Sequence, residues 1–155
     1  MFWFTMLAVI ALDQLSKYLI TSHLALGQGM TVIPGFLDFT YVLNDGASFS
    51  LFQGQRIVFL IITVLVLALI FGGLRKIPQE MKLFRFLLAL FCGGAIGNFI
   101  DRLYQGAVVD FVNLGWFPVF NLADSCLSVS AVLICLMLLF GKPGHLLDKK
   151  KEIEK

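Results

Sequence analysis

Asp110 and Asp124, in the run "VVDFVNLGWFPVFNLAD" (108–124), bracket a mostly apolar stretch, and each acid stands at the edge of a hydrophobic run. If folding brings two such carboxylates within a few ångströms, they cannot both ionise. One pKa then rises, and the pair holds a single proton between them. That arrangement suits peptide hydrolysis: the ionised member deprotonates a water while the protonated one polarises the scissile carbonyl. Proton relays, cation sites and helix caps use the same residue types, so two acids alone leave the chemistry open.

Further polar residues interrupt apolar surroundings at regular spacing. Asp13 and Lys17 stand i,i+4 and predict an internal ion pair on one helix face. In "GGAIGNFIDR" (93–102), Gly94, Gly97, Asn98 and Asp101 form one helical stripe, and Gly93 with Gly97 makes a small-xxx-small pair suited to close backbone approach. Asn121, Asp124, Ser125 and Ser128 repeat the stripe's spacing. The two stripes are expected to face each other across a polar pocket. With Lys17 matched to Asp13, Arg102 is left to neutralise one acid among Asp101, Asp110 and Asp124, so carboxylates remain in excess.

The elements that position these residues follow from composition. Of 155 residues, 59% are hydrophobic and 14% charged, with mean hydropathy +0.89, too little charge for the surface of a soluble domain of this length. Four apolar stretches, at about 2–22, 57–73, 83–101 and 123–141, each approach the roughly 20 residues that span a bilayer as a helix. The expected fold is an all-α membrane protein of four transmembrane helices, a single integral membrane domain over 1–155. The first stretch has no basic flank and no A-x-A pattern, and Asp13 and Lys17 interrupt it, so it reads as a retained helix and not a signal peptide.

Nine of the twelve Lys and Arg fall after helix two (Arg75, Lys76, Lys82, Arg85) or after helix four (Lys142, Lys149, Lys150, Lys151, Lys155). The positive-inside rule makes that side, with both termini, cytoplasmic, and puts 23–56 and 102–122 on the outer side. The net charge of +2 comes from these anchors and implies no nucleic acid. The "DKKKEIEK" tail reads as a solvated end touching anionic headgroups. Between helices one and two, "GFLDFTYVLN" is rich in aromatic and β-branched residues and bounded by Pro34-Gly35 and Asp45-Gly46, which predicts a small extracytoplasmic β-sheet. Pro118 halts regular structure, and Asn121 or Asp124 is expected to cap helix four. Gly115–Pro118, within 112–119, is a candidate flap or an aromatic interface anchor. Cys92, Cys126 and Cys135 read as apolar fillers outside any disulfide framework. His23 and His145 lie on opposite sides, which argues against a metal site. No organic cofactor is suggested, since a carboxyl pair supplies both acid and base.

The blocks "DQLSK" (13–17), "NDGASFS" (44–50), "GGAIGNFIDR" (93–102), "VVDF" (108–111) and "FNLAD" (120–124) resemble, in order, those of the bacterial lipoprotein signal peptidases, or signal peptidase II. The resemblance implies an intramembrane aspartic endopeptidase of the bacterial inner membrane, working near the outer face. It removes the signal peptide of prolipoproteins before a diacylglyceryl-modified cysteine and is blocked by globomycin-type peptides. It further implies Asp110 and Asp124 as the catalytic pair and Asn98, Asp101 and Arg102 as a supporting cluster. Asn121 and Ala123 match the start of helix four, and Asp13, Lys17, Asn44 and Gly46 the remaining polar and turn positions. Prolipoprotein and membrane lipids are the implied partners of a monomer. Leu43 and Ser48 depart from the family's usual Tyr and Ala, and the connection between the two acids is shorter than in several relatives.

Two other readings use the same residues. One is a proton- or cation-conducting protein with Asp13, Asp101, Asp110 and Asp124 as a relay, although helix two carries no polar residue deeper than Thr63. The other is a serine-type protease with Lys17 as base and Ser16, Ser48 or Ser50 as nucleophile. Asp13 opposes the neutral lysine that this reading requires.

Overall fold

In the computed structural model, residues 1–46 and 54–140 are described. Ser48, Ser50, His145 and the basic C-terminal residues from Lys142 onward lie outside them. The chain runs α1 (Phe2–His23), β1 (Gly29–Ile33), β2 (Leu37–Asn44), α2 (Arg56–Leu74), α3 (Lys82–Tyr104), β3 (Val108–Asn113) and α4 (Leu122–Phe140). All four helices are long and apolar enough to cross a membrane, and they match the four expected stretches. The largest difference is at α3, which continues to Tyr104 past its apolar end.

α1 buries a narrow stripe and α3 a broader surface, α2 and α4 bury little, and all four turn large apolar side chains outward. On α1 the buried residues are Phe2, Met6, Val9, Asp13, Lys17 and Ile20, a sustained 3–4 residue repeat. Between them Phe4, Leu7, Leu12 and Leu15 are exposed, as expected where the surrounding solvent is hydrocarbon. The core splits in two along the helices. Phe2, Met6, Leu74, Leu88, Ala89 and Cys92 pack at one end. Ile20, Leu24 and Phe111 pack at the other, where α1 meets the sheet. The three cysteines are unpaired.

The glycines of α3 set how closely the helices approach. A Cβ on Gly93 would lie 2.7 Å from Val9 Cβ, one on Gly94 2.5 Å from the Ala123 carbonyl oxygen, and one on Gly97 2.5 Å from Asp13 Oδ2. The expected close approach is therefore made twice, to α1 through Gly93 and Gly97 and to α4 through Gly94.

The sheet is antiparallel, in the order β1-β2-β3. Its first hairpin turns at Pro34-Gly35 as expected: Phe36 N–H donates to the Ile33 carbonyl at 3.0 Å and Gly35 has φ 74°, the Pro-then-Gly pattern of a type II turn. A sheet lying wholly between helices one and two is corrected here, because the third strand comes from between α3 and α4. Val108–Asn113 was hidden from period-2 reasoning because Val108, Val109, Asp110 and Phe111 are all buried, which erases the alternation. Phe111 faces α1, while Asp110 faces the helix bundle. The strand's outer edge is covered in turn. Phe120 exchanges backbone hydrogen bonds with Val112, and Val109 N–H donates to Asp101 Oδ2 at 3.1 Å.

Candidate active site

The helix-four cap brings the two stripes together. Asn121 precedes α4, and its Oδ1 accepts the Asp124 N–H at 2.8 Å, while Asp124 Oδ2 accepts the Asn121 N–H at 3.3 Å. This reciprocal pair is a capping box with Asn and Asp in place of the commoner Ser and Glu. Asp13 Oδ1 takes the next free donor, Ala123 N–H, at 3.0 Å. Both expected caps are therefore used, and α1 supplies a third. Ser125 returns its hydroxyl to the Asn121 carbonyl. Ser128 is exposed, so the polar stripe of α4 is shorter than its spacing suggests.

Asp110 is 1% exposed. Its Oδ1 accepts Asn121 Nδ2 at 2.7 Å and its Oδ2 accepts Asn44 Nδ2 at 2.9 Å. Asn44 reaches it diagonally: Asn44 pairs with Val108 in the β2–β3 ladder, and Asp110 lies two residues on, on the same face. Asp124 Oδ1 accepts Asn98 Nδ2 at 2.7 Å. Asn121 thus touches both acids. Each amide is held by a further bond that fixes which end points at the carboxylate. Asn44 Oδ1 accepts the Gly46 N–H at 3.0 Å, and Asn98 Oδ1 accepts both Lys17 Nζ at 3.0 Å and Asn121 Nδ2 at 3.1 Å.

Behind this layer lies a buried charge cluster. Lys17 Nζ sits 2.8 Å from Asp13 Oδ2 and 2.8 Å from Asp101 Oδ2. Together with Asn98, these acceptors use all three ammonium protons. The expected Asp13–Lys17 pair is present, but the lysine serves Asp101 as well. Among the described residues Arg102 makes no close ion pair with the acids. Its Nη2 donates to the Gly46 carbonyl at 3.0 Å, and its guanidinium lies 4.6 Å from the Phe59 ring centroid. Its positive charge also acts directly on Asp124, Asp110 and Asp101.

The electrostatic consequence is clearest at Asp110, on a strand outside the helices. Burial, reinforced by the charge of Asp124, pushes its carboxyl up to about 7, although Asn44 and Asn121 hydrogen bonds pull the other way. Near neutral pH the pair therefore keeps a proton that two separate acids would have released. Among the described residues no three His, Cys, Asp or Glu side chains converge as a metal ion would need.

Sequence reasoning missed two contributors. Gln14 Nε2 reaches Asp101 Oδ1 at 3.0 Å, the Gly97 carbonyl at 3.2 Å and Asp13 Oδ2 at 3.3 Å. Its place between Asp13 and Lys17 was the available signal. Phe59 gave no signal, because a cation–aromatic contact between two helices has no local spacing. Ser16 donates to its own helix at the Asp13 carbonyl, 2.7 Å away, and Lys17 Nζ, donating to three acceptors, offers no lone pair to receive a serine proton. No Ser–Lys pair forms among the described residues. In the 112–119 segment, Gly115 N–H is held by Asn113 Oδ1 at 2.9 Å, Trp116 is exposed, and Phe117 contacts the rings of Trp116 and Phe120.

Comparison with known proteins follows the same residues. A family model described as "Signal peptidase (SPase) II" matches residues 5–140. A protein named lipoprotein signal peptidase from Listeria monocytogenes serotype 4a is 48% identical over 132 residues, covering 83% of this chain and 86% of the relative. One of the same name from Moorella thermoacetica is 44% identical over 141 residues, covering 90% and 94%. Two solved structures, each described as a bacterial membrane enzyme determined by the in meso method, superpose with TM-scores of 0.85 and 0.82. They are 35% and 34% identical, with coverage of 89% of this chain and 87% of the first structure, and 91% and 94% for the second.

Proposed function

The chain belongs to the signal peptidase II family, and from that premise we propose that it cleaves prolipoproteins before a diacylglyceryl-modified cysteine, with Asp110 and Asp124 as the catalytic pair. The observation that carries this reading is the convergence of both acids on Asn121, with Asp110 pushed up to about 7. A proton retained by Asp110 polarises the scissile carbonyl. Ionised Asp124 takes a proton from the attacking water and passes it to the departing amine. Asn44, Asn98 and Asn121 donate to the carboxylates and fix their free lone pairs toward the water. Asp13, Lys17, Asp101 and Arg102 hold the elements on which those amides stand, and Gly46 and Ala123 contribute backbone groups to the same scaffold. No step requires a metal or an organic cofactor.

The chain acts as one multi-pass domain in the bacterial inner membrane, as a monomer in contact with lipid. Both termini face the cytoplasm and the sheet lies on the outer face, a topology supported by the concentration of Lys and Arg beside α2, α3 and the C-terminus. The signal peptide enters from lipid and unwinds at the acids, since a helical peptide bond has its carbonyl committed and its carbon shielded. The acyl chains stay in the bilayer. The exposed aromatic segment at 112–119 closes over the bound peptide. A conducting relay is not favoured: α2 from Ile57 to Leu74 has no ionisable residue, and Asp13 and Asp101 are locked onto Lys17.

A cleavage assay on a diacylated precursor peptide, run beside its unlipidated twin, tests the reading. Only the lipidated peptide is expected to be cut, and globomycin-type peptides to block it. Asp110→Asn and Asp124→Asn should each lower turnover by about 10³-fold, within the usual range for loss of a general acid or base, with insertion and folding retained. Wild-type turnover in either variant removes the dyad.

A further inference from the structure

The end of the bundle remote from the acids carries a second feature. Two adjoining cavities, of about 350 and 480 Å³, open beside the α2–α3 turn and share Trp3, Gln79 and Arg85. Lys82 lines the first, Arg75 and Leu74 the second, and among the described residues no acidic side chain lines either. Among the described residues none of these three cations has a carboxylate within ion-pair distance, whereas Lys17, at the other end, has two.

Arg85 is held in place by backbone acceptors. Its Nη1 donates to the Ile77 carbonyl at 2.8 Å and the Leu74 carbonyl at 3.2 Å, closing the end of α2. Those two bonds use both Nη1 protons and fix the guanidinium plane. The Nε–Nη2 edge, which offers two parallel N–H groups, makes no hydrogen bond among the described residues, and neither atom is sealed from solvent. A parallel pair of donors is the geometry that grips two oxygens of a phosphate. The first turn of α3 beside it contains no acid and has no side-chain cap, so its dipole adds to the same field.

The depth of the cleft selects among phosphates. It lies where α1 and α3 begin and α2 ends, hence where hydrocarbon gives way to headgroups. Trp3, 56% exposed and packed on Phe71, provides an apolar wall leading from the cations toward the span. We infer that this cleft is a binding site for one anionic phospholipid of the cytoplasmic leaflet. Arg85 and Lys82 take its phosphodiester, and its acyl chains run down past Trp3. Such a lipid fixes the α2–α3 turn and thereby the base of the helix that carries Asn98 and Asp101.

The chain's two tryptophans make a direct test possible. Trp116→Phe leaves Trp3 as the only one. The purified protein, placed in phosphatidylcholine bilayers, is titrated with brominated phosphatidylglycerol or brominated phosphatidylcholine while Trp3 quenching is followed. The expected result is saturable quenching at a lower mole fraction of the anionic lipid. Lys82→Gln should reduce that preference about fivefold, the worth of one cation near an anionic surface. Arg85→Lys keeps the charge and loses the fork, and it should also reduce the preference. An unchanged helical circular dichroism spectrum certifies its fold. Lys76→Gln, outside the cleft, should change the preference less than Lys82→Gln. Equal quenching by both lipids, or equal losses in the Lys76 and Lys82 variants, overturns the site in favour of general surface charge. A Trp3 emission change with millimolar glycerol phosphate, together with no preference for brominated phosphatidylglycerol, would assign the cleft to a free phosphate and overturn the lipid.

Discussion

The neighbouring spans α2 and α3 are built on opposite principles. Their most apolar windows have mean hydropathies of 3.1 and 1.8, yet 6% of the α2 window is buried in the protein against 39% for α3. In water, the greasier helix would be the core. In a bilayer, lipid is as apolar as leucine, so hydrophobicity gives a helix no reason to prefer protein over its surroundings. What draws a helix inward is close backbone approach and the need to satisfy polar groups. α3 has both, in Gly93, Gly94 and Gly97 and in Asn98 and Asp101, while α2 has neither. The less hydrophobic helix therefore builds the site.

Removing the charge that ties α3 to α1 attacks this contrast most directly. Lys17→Met leaves Asp13 and Asp101 buried without their shared cation. The expected loss is about 3–5 kcal/mol, as for a broken buried ion pair, visible as a fall in the midpoint of denaturation in micelles. Leu69→Ala on α2, at a side chain 77% exposed, should move the midpoint by only about 0.5 kcal/mol or less. Comparable losses in the two variants would mean that polar anchoring does not distinguish the spans.

Titration sharpens the same contrast, because α2 beyond Arg56 has nothing to titrate. Asp110 is raised from 3.8 to about 7 in the folded protein. Between those values the folded state holds a proton that the unfolded chain has released. Its contribution to stability is complete below about pH 4 and is lost as pH rises through about 7, with a limiting slope near 1.4 kcal/mol per pH unit. Denaturation of wild type and Asp110→Asn from pH 4 to 8 should show that slope only in the wild type, so that the variant gains relative stability as pH rises from about 4 to about 7. Parallel profiles would contradict the raised carboxyl. Cleavage should decline only above about pH 7, where the shared proton leaves the folded protein.

The four spans were legible in the sequence because hydropathy over some twenty residues is a local property. The facing stripes of α3 and α4 were legible because polar residues at helical spacing inside apolar segments are costly in lipid unless they meet partners, and Asn98 does meet Asp124 and Asn121. Two features were hidden for one reason: their cause lies in distant parts of the chain. β3 lacks alternation because α1 covers Phe111 while the bundle covers Asp110. Charge counting gave Arg102 as a counter-ion, and its charge does act on Asp124 and Asp110. Its contacts, however, the Gly46 carbonyl and the Phe59 ring, come from distant segments and leave no local spacing. Lys17 illustrates the same limit. Its i,i+4 spacing revealed Asp13, whereas Asp101, 84 positions away in sequence, came into reach only because Gly97 lets α1 approach.

The same small substitution should have opposite signs in the two helices. Gly72, in α2, has nothing within 4 Å of the place where a Cβ would be added. Gly72→Ala therefore gains helix propensity, worth roughly 0.5–1 kcal/mol in an exposed helix interior, and loses no contact. Gly94→Ala places its methyl 2.5 Å from the Ala123 carbonyl oxygen and 3.1 Å from Leu127 Cγ. Backbone cannot step aside as a flexible side chain can, so α4 must move, at a cost of about 1–3 kcal/mol for an overpacked contact. The displaced residue sits next to Asp124, so the shift also opens the capping box and loosens Asn98 from the carboxylate. Turnover should thus fall in Gly94→Ala even at temperatures where the variant is fully folded, while Gly72→Ala keeps wild-type turnover. If the two variants changed the melting midpoint in the same direction and by the same amount, helix propensity alone would account for both, and α3 would not be the helix whose packing sets the geometry of the acids.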